Sequence, residues 1–470
     1  MAAPNTQAKF VEGNLFRHVT VMSLTSSIGL MAVFVVDLVN MLYIALLGRE
    51  ELAAAIGYAG AILFFTTSFG IGMSIGVGAL VARALGGRDP VLAREKATTG
   101  LVLGFVFGSL FAAVVWLFLW PLVGLLGATG DTAALAVHFL QIVIPSQPLL
   151  MVGMVGGAIL RSHGDARAAM MATVWGAVAT AALDPVLIFG FKLELTGAAI
   201  ASVAARVVIA WVALQPIRKR YGGFDRPTVG GVIADMGPIW AIAVPAILTQ
   251  VATPVGQAFV TRATSAYGEA AVAGMAIAGR LTPVAFGVIF ALAGAIGPIV
   301  GQNFGAGRMD RVRRTFWDGL IFTGVVIVLV SALLFVLRGP IADAFKAEGL
   351  TRDLVYLFCG PLALLWFFNG MVFVGNAVCN NLGRPFWSTV VNWGRHTLGT
   401  IPLALWLGQT WGAQGVLVGQ ALGGVVFGLA AAWLALAAIR NPAFPTPRGR
   451  AAPPPAPEAE PVASPGERRA

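Results

Sequence analysis

Apolar residues along this chain follow neither the alternation of a half-buried strand nor the narrow stripe of a surface helix; they come in long runs parted by short polar stretches. The runs fall at 19–47, 52–82, 98–126, 133–160, 168–190, 196–217, 238–264, 270–303, 316–337, 353–381, 386–409 and 414–438. Each is near or above the ~20 residues that a helix needs to cross a bilayer. The pattern predicts an all-α polytopic membrane protein with about 12 transmembrane helices. Composition agrees, because only 11% of the 470 residues are charged and 58% are hydrophobic. A soluble domain carries roughly 25% charged residues.

Charge sorts the polar stretches into two alternating sets. One holds Arg83, Arg88, Arg94 and Lys96, then Arg161 and Arg167, Arg218 to Arg220 with Arg226, Arg308 to Arg314, Arg384 and Arg440. The other holds Glu50, Glu51, Asp131, Glu194, Glu269 and Asp343, with few basic residues. Lys and Arg mark the cytoplasmic face, so both termini are expected in the cytoplasm. The net charge of +10 is then a topology signal rather than a nucleic-acid groove. Residues 1–18 are too mixed for a cleavable leader and read as a cytoplasmic N-terminus. Residues 440–470, rich in Pro, Ala, Arg and Glu, read as a disordered cytoplasmic tail. Cys359 and Cys379 both lie in apolar context and imply no disulfide framework.

The chain also repeats itself. Ala82-Arg-Ala-Leu-Gly86-Gly-Arg88 returns as Gly301-Gln-Asn-Phe-Gly305-Ala-Gly-Arg308, and Gly48-Arg-Glu-Glu-Leu-Ala as Gly268-Glu-Ala-Ala-Val-Ala. Arg161-Ser-His-Gly164 returns in outline as Asn381 to Pro385, and Leu183-Asp-Pro185…Gly197 as Ile401-Pro402…Gly415. A shared offset of about 220 residues marks a duplication. Six runs per copy give both copies the same orientation, with an axis along the membrane normal and a cleft between two lobes. The lobes are read as 19–217 and 238–439, joined by a cytoplasmic linker at 218–237.

Within this apolar frame, charge is costly and marks candidate chemistry. Asp184 lies inside the fifth run, followed at once by Pro185, which removes a backbone donor. Asp37 lies inside the first run. A buried carboxylic acid loses hydration, and a second carboxylate nearby adds to the cost of ionising it. The same negative charge attracts an organic cation, so a proton and a cationic cargo would compete for one site. The bland alternatives are a structural Asp184 hydrogen-bonded to Thr180 or Ser202, and an Asp37 paired with one of Arg206, Arg262, Arg280 or Arg395. Gln257, Asn369, Trp393 and Phe368 are candidate cleft-lining residues, with packing as the alternative. The four histidines show neither i,i+4 pairing nor carboxylate partners, so no metal is expected, and no nucleophile–base pair is visible. Glycine runs such as Gly70 to Gly78 read as close helix packing, since no Lys-[Ser/Thr] follows to complete a phosphate loop.

With these residues in view, the chain resembles the multidrug and toxic compound extrusion (MATE) family. The resemblance rests on Gly48-Arg-Glu-Glu-Leu-Ala-Ala-Ala, on Pro298-Ile-Val-Gly-Gln-Asn-Phe-Gly-Ala-Gly307, and on Leu183-Asp-Pro-Val-Leu-Ile-Phe-Gly190 with Gly197-Ala-Ala-Ile-Ala-Ser202, and extends over residues 15–440. It implies twelve helices in two six-helix lobes forming a V. It implies export of cationic amphipathic compounds in exchange for protons, or less readily sodium ions, and no enzymatic activity. It implies no cofactor and a monomer whose partners are organic cations and membrane lipid. Asp184 matches the family's fifth-helix acid and Ser202 its sixth-helix hydroxyl, while Thr180 stands where Asn is common. The first-helix acid of the family falls at Asn40, and Asp37 stands one turn earlier as its stand-in. Where some members carry acids in the seventh and tenth helices, this chain has Thr253, Gln257, Asn369 and Met371, which favours coupling through the first lobe. Two rival readings are a lipid-linked oligosaccharide flippase of the same superfamily and an integral membrane enzyme acting on lipid.

Overall fold

The computed structural model describes residues 8–46 and 50–444. The Gly48-Arg49 start of one repeat motif, and nearly all of the tail, lie outside the described residues. Helices make up the described chain: α1 Leu15–Leu46, α2 Glu50–Gly86, α3 Pro90–Leu117, α4 Leu119–Leu125, α5 Gly130–Val143, α6 Gln147–Ser162, α7 Ala166–Pro185 and α8 Glu194–Arg220. They continue as α9 Val229–Ser265, α10 Glu269–Ala285, α11 Gly287–Gly305, α12 Met309–Ala344, α13 Gly349–Leu357, α14 Ala363–Asn381, α15 Pro385–Gly394 and α16 Thr400–Arg440.

Eleven helical stretches among the described residues are long and apolar enough to cross a membrane. The last of them, Pro385–Arg440, has 56 residues, about 84 Å at 1.5 Å per residue, far more than one crossing. Gly412, at φ 60° and ψ −142°, breaks it, so the chain folds back there and crosses twice, giving twelve passes. The run at 270–303 is not one continuous helix: it divides at Phe286, three residues after Pro283, whose ring removes an intrahelical donor. Helix α9 begins at Val229, inside the stretch read as linker, with Thr228 capping the amide of Gly231.

The duplication is written in the backbone as well. Left-handed residues recur 219 positions apart, Arg88 (φ 57°) with Gly307 (φ 73°) and Gly164 (φ 76°) with Gly383 (φ 84°), each in the tight turn after an equivalent helix. At the end of the bundle that carries these basic turns, α2 and α11 cross with no room for side chains. A Cβ on Gly86 would strike the carbonyl of Gln302, and one on Gly305 the carbonyl of Arg83. Each contact is the other's image under the repeat, as expected of an approximate two-fold axis along the membrane normal.

Hydrophobic clusters show where the lobes meet and part. At the basic end, apolar clusters mix the halves: Phe10, Val19 and Met22 pack with Ile299, Phe304 and Phe316, while Met73, Val77 and Leu160 pack with Ile239 and Ala243. At the opposite end each cluster stays within one half, around Ile44, Leu52, Leu140 and Ile188 in the first and around Val260, Ala271, Leu354 and Val416 in the second. There a Cβ on Gly60 or on its repeat mate Gly279 would meet nothing within 4 Å. The two six-helix lobes therefore form a V, closed at the basic end.

Candidate functional site

Asp184 occupies the last turn of α7, immediately before Pro185 and a π turn at Val186–Gly190. π turns inside helices recur at functional positions because the extra residue displaces the backbone ladder. The Asp184 side chain is 1% exposed, and neither carboxylate oxygen has a hydrogen-bond partner. The hydroxyls expected to pair with it are turned to their own helices. Thr180 donates to Gly176 O at 3.2 Å, and Ser202 donates to Ala198 O at 2.9 Å. A structural carboxylate satisfied by these two hydroxyls is thus not what the chain builds. Asp184 is a buried acid whose lone pairs are unspent, a costly state for a polar group unless something visits it.

Asp37 lies seven residues before Ile44 on α1, hence on nearly the same helix face, and Ile44 is buried in the first lobe's core. Asp37 itself is exposed. An exposed carboxylate on an inward helix face belongs beside an opening rather than against lipid. The backbone of α1 meets α7 at Gly29, where a Cβ would lie 3.4 Å from Met170 O. From that crossing Asp37 stands about 12 Å further along its helix and Asp184 about 20 Å, at 1.5 Å per residue. Among the described residues no hydrogen bond or ion pair joins them. Asn40 is half-buried, and its side-chain oxygen is enclosed and unpartnered. The first lobe thus holds three acceptor-bearing side chains, Asp37, Asn40 and Asp184, without a fixed cation. Arg206, a candidate partner for Asp37, instead donates to Val143 O, Ser146 Oγ and Gln147 Oε1.

The second lobe is built with the opposite sign. In its eleventh pass, corresponding to the pass of Asp184, a π turn at Arg395–Gly399 interrupts the helix. The Arg395 side chain is 8% exposed; it donates to Asn369 Oδ1 and, at 2.8 Å, to His396 Nε2. Since a guanidinium only donates, His396 accepts at Nε2 and carries its proton on Nδ1, which lies against Gly256 of α9. A side chain at residue 256 would collide with that ring, so the glycine is what lets α9 and the imidazole approach. The Nε of Arg395 has no partner. Gln257, exposed, and Gln420, half-buried, meet at 3.5 Å. Trp393 donates to Leu248 O, and Phe368 packs on Gly428.

Sequence reasoning picked out Asn369 and Arg395 but missed His396, whose adjacency to Arg395 inside an apolar run was the available signal. It also missed Asp235, which is 2% exposed in α9 and bonded to Thr99 and Lys96 of α3. That contact ties the first pass of the second repeat to the first lobe. Two surface crevices, of about 290 and 410 Å³, are lined by Leu101 and Phe224 and by Trp116 and Pro148 respectively, and contain none of the candidate residues.

Comparison with known proteins follows the same division into repeats. The MatE family model matches residues 26–186 and again 245–406. A protein of Shewanella oneidensis named FAD transporter is 29% identical over 427 residues, covering 88% of this chain and 93% of that protein. Multidrug export protein MepA of Staphylococcus haemolyticus is 22% identical, covering 87% and 90%. Among solved structures, a mutant of the Vibrio cholerae MATE transporter VcmN superposes with a TM-score of 0.86 at 23% identity, over 91% of this chain and 97% of that one.

Proposed function

Because this chain belongs to the MatE family, whose members include multidrug exporters, we propose that it is a secondary exporter of amphipathic compounds driven by exchange for protons. The observation that carries the coupling is Asp184: an enclosed carboxylate at a helix discontinuity, with both oxygens free to take either a proton or a cationic group. Protonation neutralises the site and releases a cation; loss of the proton restores it. The tilt of the lobes about their basic-end contact is the two-state element that this charge biases. Sodium is the less favoured ion, because among the described residues no second carboxylate is bonded into the Asp184 site to complete a cage of hard oxygens. We place the chain in the bacterial inner membrane with the basic end, and both termini, in the cytoplasm.

A second reading has its own support. The relative at 29% identity is named for a flavin dinucleotide, and the second lobe presents a buried guanidinium rather than an acid. A cargo with an aromatic body and an anionic group fits that lobe better than a simple organic cation does.

The test is transport in proteoliposomes under an imposed pH or sodium gradient, with ethidium and a flavin as cargo. A pH gradient is expected to drive uptake and a sodium gradient to have no effect. Asp184→Asn is expected to lower gradient-driven transport at least tenfold while unfolding at the temperature of the wild type. Undiminished transport by Asp184→Asn refutes the coupling assignment.

A further inference from the structure

The second lobe buries a positive charge that the proposed proton exchange does not use. Arg395 sits where α15 gives way to a π turn, enclosed by α9, α14 and α16, and its named partners, Asn369 and His396, are neutral. Acids of this half that the structure shows in ion pairs stand near helix ends: Asp235 with Lys96, Asp310 with Arg308, Asp318 with Arg314 and Asp343 with Arg352. No carboxylate is bonded to Arg395 among the described residues. Uncompensated buried charge costs several kcal/mol per ion, and intramembrane cations that persist are by default functional. The π turn does not explain it, since its carbonyl at Arg395 is already taken by the Thr400 hydroxyl.

The remaining geometry points outward along one route. Asn369 accepts from Arg395 and is itself half-buried, with its amide nitrogen near the Gly424 position of α16. Gln420 lies one turn before Gly424 on α16 and touches exposed Gln257. An exposed glutamine within a lipid-crossing helix belongs to a wet cleft, not to lipid. A ladder of neutral amides therefore runs from an accessible face to an enclosed guanidinium whose named bonds use two of its five N–H donors and whose Nε has no partner. Amides supply donors to an anion without competing for its charge, and the guanidinium supplies forked donors that match phosphate or carboxylate oxygens.

We infer that the Arg395–Asn369–His396 cluster, reached past Gln257 and Gln420, binds the anionic end of the cargo, a phosphate or carboxylate. The inference rests on the reading of the chain as a transporter and adds the substrate class for its second lobe. The first lobe offers unpaired acceptors and the second an unpaired donor, so an amphipathic molecule bearing an anionic group spans the cleft with its charge toward the second lobe.

The test is equilibrium binding to purified protein without any gradient, so that its outcome is independent of proton coupling. Riboflavin and its monophosphate share one fluorophore and differ by a single phosphate. Wild-type protein is expected to bind the monophosphate at least about tenfold more tightly, the scale of a charge-assisted hydrogen bond made away from water. Arg395→Gln is expected to erase that preference, so that the two flavins bind it equally, and Arg395→Lys to retain part of it. Equal affinity for the two flavins in the wild type, or an undiminished preference in Arg395→Gln, overturns the inference. Should Arg395→Gln not fold, the wild-type comparison and competition by inorganic pyrophosphate decide, with absence of competition counting against the site. Repeating the titration in phosphatidylcholine nanodiscs with and without phosphatidylglycerol separates cargo from lipid. Competition by phosphatidylglycerol assigns the cluster to a headgroup and overturns the cargo reading.

Discussion

His163 stands in the turn between α6 and α7, its ring 4.4 Å from that of Tyr221 and its Nδ1–H donated to Ile159 O at 2.9 Å. Burial pushes its pKa below the ordinary histidine value, and the backbone bond and nearby Asp165 only partly oppose that. The folded protein therefore holds His163 neutral where an unfolded chain would already bind a proton. Stability from this residue is complete above about pH 6.5 and is lost as pH falls from there through the lower folded value. Unfolding temperature is expected to drop between pH 7.5 and 5.5, and to drop less in His163→Phe, which keeps a ring against Tyr221 but cannot titrate. A histidine variant as pH-sensitive as the wild type rejects this account. Single residues differ in how much of this was legible beforehand. Asp184 announces itself, because an acid inside an apolar run has few ordinary explanations. Arg395 was visible as a charge, yet its partners lie on α14 and at the next position of its own π turn, and no local spacing rule links them. Thr180 and Ser202 look like ligands in sequence, but each hydroxyl prefers the carbonyl one turn back on its own helix.

At the scale of elements, a proline marks some of the breaks, as Pro185 does, but not what closes them, and Pro245 and Pro254 lie inside an unbroken α9. Pro145 and Pro148 mark the place where α5 passes through a short 3₁₀ turn into α6. In that turn the amide of Gln147 bonds Ile144 O, which releases Val143 O from its usual α-helical donor. Arg206 of α8 takes up the freed carbonyl at 3.0 Å, together with Ser146 Oγ and Gln147 Oε1 at 3.1 Å each. An arginine that looked like a candidate partner for Asp37 thus serves as a brace between the fourth and sixth passes. Arg206→Met fills similar space and strips Gln147 Oε1 of its named donor, at about 1–3 kcal/mol, while Val143 O keeps the Ser146 hydroxyl at 2.7 Å. A fall in thermal unfolding temperature is expected, with riboflavin binding by the surviving folded protein unchanged. An unaltered unfolding temperature argues against the brace. The turn after the π turn of Asp184 shows the same economy of space: a Cβ on Gly197 would lie 2.8 Å from the backbone of Leu187, and Gly415 is pressed onto Leu407 in the second repeat. Sequence periodicity carried the twelve passes well, since each needs only length and apolarity. It did not carry the π turns, which depend on how a freed carbonyl is re-bonded in three dimensions.

For the whole molecule, the repeat offset was readable from glycine motifs, and with it the two-lobed plan; the lock at the basic end was not. Residues 9–13 precede the first apolar run and look like an ordinary polar leader, yet they lie across the seam between the lobes. Lys9 Nζ donates to Gly164 O in the first lobe, and the amide of Phe10 donates to Gln302 Oε1 in the second. Asn303 and Arg311 donate to Phe10 O, and Arg308 donates to Val11 O. The Phe10 ring, 1% exposed, is buried in the cluster that joins the halves. Its partners lie some 290 residues away, beyond any local pattern. Opening the basic end must break these bonds and expose that ring. Truncating a buried Phe to Ala costs about 3–5 kcal/mol, and the part of that loss borne only by the closed state moves the equilibrium toward opening. The check is the labelling rate of Ser162→Cys, a fully buried position beneath the strap whose carbonyl accepts from Gln302 Nε2, in a chain with Cys359 and Cys379 replaced by alanine. Phe10→Ala is expected to raise maleimide labelling of that cysteine at least tenfold in inside-out vesicles. Equal labelling with and without Phe10 would mean that the crossing of Gly86 on Gly305 holds the lobes together unaided.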